Sequence, residues 1–235
     1  PKADPPLHVS VRTGRLKGED LDAVFHLGQP PPRSLLDRTL RRRASMPPWM
    51  RQMDMGGSLE AEALVLGRQE FENLVAQFHW RRGQIRFPLL SAKWKGAAVS
   101  GAGGADLWRD EALYRARAAV TGLPAGASWI DAEVEVSTST LGAALPEKAR
   151  GWAEASSPLL RLGAGGSVRQ LHVSLEYDGA RGQQPWRLPE VSFWMDGQFW
   201  SGRGSASADG AFRAEFPSGH WEGTLWPPSA PRAAR

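Results

Sequence analysis

The chain has 235 residues, 41% hydrophobic and 23% charged, with 29 Lys and Arg against 25 Asp and Glu for a net charge of +4; it holds 11 Trp and no Cys. That length and apolar content suffice for a real core, so a wholly disordered chain is excluded, and the missing cysteine excludes a disulfide scaffold, a Cys-ligated metal and a thiol nucleophile. No apolar run is long enough to cross a membrane as a helix, and +4 over this length does not by itself mark a nucleic-acid partner.

A first residue of Pro1 rather than Met leads us to expect a processed chain or a piece of a longer one. Residues 7–29 read as short strands, ended by Pro30-Pro31-Pro32, because proline removes a ladder donor and fixes φ. A helix is predicted over 33–50: Ser34 caps it, Leu35, Leu36 and Leu40 recur at helical spacing, and Arg38, Arg41, Arg42 and Arg43 fill the other face. Pro47-Pro48 closes that helix.

Beyond it the apolar period becomes two, the mark of strands with one wet and one dry face. Leu74, Ala76, Phe78 and Trp80 alternate with polar residues, as do Ile130 to Val136, Leu171 to Tyr177 and Phe212 to Phe216. Turn signals at Gly67-Arg68, Arg82-Gly83, Asp178-Gly179, Asp196-Gly197 and Asp209-Gly210 join consecutive strands as antiparallel hairpins. The segment 143–160 reads as irregular or helical, with a short helix around Pro146 to Ala155, and 227–235 reads as a disordered tail.

Two internal matches suggest how the strands arise. Gly14, Arg15, Glu19, Leu21, Ala23, Phe25 and His26 recur 53 positions later as Gly67, Arg68, Glu72, Leu74, Ala76, Phe78 and His79. Arg86, Pro88, Ser91, Gly96, Ser100 and Gly101 recur 101 positions later as Arg187, Pro189, Ser192, Gly197, Ser201 and Gly202. The predicted fold is therefore mainly β: an elongated, curved antiparallel sheet built from repeated β-meanders, groove-like or partly closed as a barrel, with one or two short helices. A single region spans 1–235, with β-repeats over 56–142 and 161–226.

The stretches opening at Gly56-Gly57-Ser58-Leu59 and Gly166-Ser167-Val168, with Leu74, Gly96 and Gly101 at strand and turn spacing, resemble the C-terminal repeat region of AsmA-like bacterial envelope proteins, relatives of TamB. The segment around Leu35 to Leu40 resembles the Leu-rich helix often inserted between their repeats. The resemblance implies a periplasmic segment of an inner-membrane-anchored protein that shields or conducts lipid between the two membranes and supports outer-membrane biogenesis. The implied partners are a phospholipid or other envelope lipid, a membrane surface and an envelope protein, with no nucleic acid, no cofactor and no enzymatic reaction.

On that reading the lipid-facing candidates are Leu74, Phe78, Trp80, Leu171, Val173, Leu175, Tyr177, Phe193 and Phe199, and the candidates for an anionic surface are Arg38, Arg41, Arg42 and Arg43. An alternative from another class is a glycan- or polyanion-binding β module, with Trp194 and Trp200 stacking on sugar rings. Strand addition of another protein to an open sheet edge is a third possibility.

Catalytic motifs are poorly represented. Gly202-Arg203-Gly204-Ser205 lacks the second glycine of a nucleophile elbow, and Gly101-Ala102-Gly103-Gly104 does not complete a phosphate-binding fingerprint and reads as a turn or bulge. His26 and His79 occupy one repeat position on the wetter strand face, which suits a surface role better than a metal site. Glu190, Asp196, Glu215 and Glu222 sit where any half-wet sheet needs polar residues.

Overall fold

The structure, a computed structural model, describes residues 7–17, 54–66, 69–107, 113–140, 145–161, 166–207 and 211–224. The predicted helix over 33–50, one member of every pair in the 53-position match and the tail from 227 lie outside the described residues. The strands are β1 (Leu7–Lys17), β2 (Asp54–Leu66), β3 (Gln69–Arg81), β4 (Gln84–Trp94), β5 (Ala97–Asp106), β6 (Leu113–Ala125) and β7 (Ser128–Thr138). A single helical turn, α1 (Leu145–Lys148), precedes β8 (Arg150–Arg161), β9 (Ser167–Asp178), β10 (Trp186–Met195), β11 (Gln198–Ala206), β12 (Ala211–Phe216) and β13 (Gly219–Thr224).

All thirteen strands form one open, curved sheet in sequence order, so the sheet is not closed into a barrel. Every neighbouring pair from β2 onward is antiparallel. β1 departs from the expected hairpins by pairing parallel to β2, with Leu7 opposite Met55 and Lys17 opposite Val65. A parallel pair needs a long crossover, and residues 18–53 supply the length. Of the first repeat match, Gly14 and Arg15 lie inside β1, and their counterparts Gly67 and Arg68 lie outside the described residues.

The second match is a structural equivalence. β4 and β5 join through Lys95 (φ 49°) and Gly96 (φ 83°), and β10 and β11 through Asp196 (φ 52°) and Gly197 (φ 77°), the paired positive φ of a tight type I′ hairpin. The register of each hairpin slips at the same place, between Phe87 and Leu90 and between Leu188 and Val191. Pro88 and Pro189 occupy those slips, where a missing N–H breaks no ladder bond.

Two further bends are paired in β3 and β9. Asn73 (φ 52°) and Gln170 (φ 50°) take the left-handed conformation within otherwise extended strands. Each resets the alternation, so Phe71 and Leu74, three apart, pack in one cluster, as do Val168 and Leu171 in another. The first cluster is built on Ala61, Leu64, Leu74, Ala92 and Val99, and the second on Val168, Phe193, Ala214 and Phe216.

The segment 143–160 is corrected in its larger part, because helix is confined to one turn and Arg150–Arg161 is strand β8. Gly151, Ala153 and Ala155 point to one face and Trp152, Glu154 and Ser156 to the other, a period-two pattern drawn mostly with small residues. The Gly101–Gly104 run is also no turn but the interior of β5, opposite the bulge in β4. A Cβ at Gly104 would stand 2.6 Å from the Ile85 carbonyl oxygen, and this close backbone approach explains the glycine.

Candidate functional site

Following the registers strand by strand divides the sheet into two chemically distinct faces. On one, Val11, Leu59, Ala76 and Leu90 lie side by side across β1 to β4. The same face continues through Gly101, Ala118, Val134 and Ala153 to Leu175. It ends in Val191, Gly202, Ala214 and Trp221. None of the described strand positions on this face carries an Asp, Glu, Lys or Arg.

The opposite face is charged, and several of its charges pair across strands. Arg12 pairs with Glu60 at 2.7 Å, Arg81 with Asp54 at 3.4 Å, Arg150 with Asp178 at 3.2 Å and Arg213 with Glu222 at 3.5 Å, and Arg117 pairs with Glu133. Each pair joins adjacent strands, so opposite charges face one another across the ladder as cross-strand pairing favours. Two shallow depressions, of about 430 and 470 Å³, have mixed linings, one of small and apolar residues such as Ala102, Gly104 and Ala116 with Arg86, Arg115 and Arg117, the other around Glu135, Arg150 and Glu176. Among the described residues no three His, Asp or Glu gather as a metal would require.

Eight of the nine lipid-facing candidates share the apolar face. Leu74, Phe78 and Trp80 lie on β3, Leu171, Val173, Leu175 and Tyr177 on β9, and Phe193 on β10. Phe78 meets Phe87 of β4 at 6.4 Å between ring centroids, and Tyr177 meets Trp186 of β10 at 4.6 Å. The Tyr177 hydroxyl donates to the Pro146 carbonyl at 2.5 Å, which ties α1 to the end of this face.

Phe199 is the exception and is corrected: it pairs with Trp194 on the charged face and is 52% exposed. Across a two-residue turn the residues that face each other have opposite parity, so Phe193 is opposite Trp200 and Trp194 opposite Phe199. Trp200 consequently joins the apolar face, where it stacks on Phe193 at 6.2 Å. Its indole N–H is buried there without a hydrogen-bond partner, so the pairing of Trp194 and Trp200 as one sugar platform does not form. Arg38, Arg41, Arg42 and Arg43 lie outside the described residues.

The relief of the apolar face is uneven. Its central strands present small side chains, including Gly103, Ala116, Ala118, Gly151 and Ala153, between the bulky rows of β3–β4 and β9–β10. At this centre Val134 is 41% exposed, whereas Leu74 and Phe193 in the two clusters are buried to 4% and 1% exposure. The face is therefore buried by its own curvature at two places and open between them.

The sequence signal that locates the whole face was present in the alternation, but Ile85, Phe87, Leu90 and Trp186 escape it because the bulges at Pro88 and Pro189 shift parity within one strand. No protein-family model, no curated protein and no solved structure matches this chain.

Proposed function

We propose that the apolar face shields the acyl chains of an envelope lipid, without catalysis, as a periplasmic segment of an inner-membrane-anchored bacterial protein that carries lipid between the membranes and supports outer-membrane biogenesis. One observation carries this reading: thirteen strands present a continuous face free of charged residues, and its centre is open at Val134. The periplasmic and membrane-anchored setting is what the resemblance to AsmA-like proteins implies.

The magnitudes are adequate. Around the open centre, strands β6 to β9 of 11 to 13 residues, at roughly 3.3 Å per residue, make the face about 36–43 Å wide, more than the ~30 Å of a bilayer's hydrocarbon core. Each methylene taken from water gains about 0.8 kcal/mol, so chains are held without a polar contact. A face without charge selects for chains and leaves the headgroup to solvent.

The test is photo-crosslinking in cells from Val134 and Leu175, with Glu133 on the charged face as the control. Lipid adducts at the first two and none at the third are expected. Equal labelling at all three, together with no lipid seen by native mass spectrometry, overturns the reading.

A further inference from the structure

Among the described residues, the exposed aromatics gather at one place. Trp129, Trp194 and Phe199, exposed to 49%, 42% and 52%, all stand on the charged face, at the rim that carries the β4–β5, β6–β7 and β10–β11 hairpins. The registers join them into a band. Pro124 is opposite Trp129, whose carbonyl accepts from Ser157 Oγ at 2.6 Å and so sits beside Pro158 and Leu159. Leu159 is opposite Arg169, Arg169 is opposite Trp194, and Trp194 is opposite Phe199, with 5.5 Å between those two ring centroids.

We propose that this band is a membrane-docking lip that lies on the interface of an anionic bilayer. Six strands contribute, so the band runs about 24 Å along the rim at ~4.8 Å per strand, a line of contact suited to a plane. Trp and Phe beside arginine match the headgroup region, which accepts amphipathic rings and attracts cations when its lipids are acidic. Arg161 and Arg169 stand at this rim with no ion pair among the described residues. The acids nearby are Asp196, exposed in the hairpin, and Asp131, whose Oδ1 already accepts from the Gly122 amide at 2.7 Å.

A sugar surface fits the same rings less well. Stacked sugars need polar side chains around each aromatic platform for their hydroxyls, and around Trp129 the band offers Pro124, Pro158 and Leu159, leaving Arg169 beside Trp194 as the polar member of the registers that join the rings. The rim is apolar on its other side too, where Met195 and Trp200 belong to the second cluster, so a lipid leaving the bilayer here meets the apolar face directly. The docking surface stands beside the lipid-shielding reading and does not require it.

The experiment is flotation of the full 235-residue chain with mixed phosphatidylethanolamine and phosphatidylglycerol vesicles. The native chain floats and its Trp emission shifts to the blue. The double variant Trp194→Ala/Phe199→Ala binds at least tenfold more weakly, and Arg169→Glu, which leaves the rings in place, weakens binding on phosphatidylglycerol but not on neutral vesicles. Val134→Asp, on the apolar face, floats like the native chain while losing co-purified lipid, which separates failure of this inference from failure of the lipid reading. The lip is overturned if the native chain does not float or if the double variant, with native circular dichroism, floats equally well. A saturable emission shift with soluble oligosaccharide, or self-association abolished in the double variant, reassigns the band to a glycan or to a second copy.

Discussion

Asn73 in β3 and Gln170 in β9 hold the same left-handed backbone, φ 52° and 50°, at equivalent points of two successive repeats. Both side chains are exposed, so the conformation rather than a side-chain contact is what the sheet requires. Each bend keeps three-apart apolar residues on one face and so builds the clusters around Leu74 and Val168.

Left-handed backbone is unfavourable for residues with a Cβ, less so for Asn than for Gln. Gln170→Gly is expected to raise stability by up to about 1 kcal/mol, and Asn73→Gly by less. Valine at either position should cost about 1–3 kcal/mol. Urea denaturation of the four variants checks the order, and a neutral Gln170→Val sinks the account.

Phe193 and Phe199, six positions apart, give the sharpest test of the two faces. Phe193 is 1% exposed within the ring cluster of Trp200, Phe216 and Trp221, so Phe193→Ala should cost about 3–5 kcal/mol. Phe199→Ala, on the charged face, should stay within about 0.5 kcal/mol. Equal losses in thermal unfolding would contradict the register of β10 and β11.

Burial pushes the Tyr114 phenol above its ordinary value. The folded state therefore favours the neutral ring, and the unfolded chain gives up its proton first, near pH 10. Its stabilising contribution is complete below that pH and is lost as pH rises toward the folded value. Between about pH 9 and 11 the Tm of the native chain should fall more steeply than that of Tyr114→Phe; parallel curves reject this.

The Arg117–Glu133 pair joins β6 to β7 on the open charged face. A double-mutant cycle with Arg117→Ala and Glu133→Ala should return a coupling of about 0.2–1 kcal/mol, shrinking in molar salt. A coupling of several kcal/mol that ignores salt would mean the pair is not solvent-screened.

Much of the fold was legible because a half-wet sheet writes itself as alternation: Leu171 to Tyr177 and Ile130 to Val136 each declare their dry face. What failed to show was parity at irregular points. A single alternation run through the Asp196-Gly197 turn puts Phe199 on the wrong face, and the bends at Asn73 and Gln170 have no distinctive residue type. β8 was hidden because Gly151, Ala153 and Ala155 write a dry face in residues too small to register as apolar. The parallel pairing of β1 depends on a partner 48 positions away, which no local pattern encodes. The aromatic lip escaped for a related reason, since Trp129, Trp194 and Phe199 meet only through registers across several strands.

From β2 onward every strand pairs with the one made just before it. Each hairpin thus closes a short loop and leaves a fresh edge for the next, so ordering entropy is spent in small instalments and contact order stays low. Such a sheet zips up in the direction of synthesis or export, one strand at a time, with no need to hold distant parts of the chain unfolded together. β1 alone must wait, because its neighbour arrives only after residues 18–53 have been made.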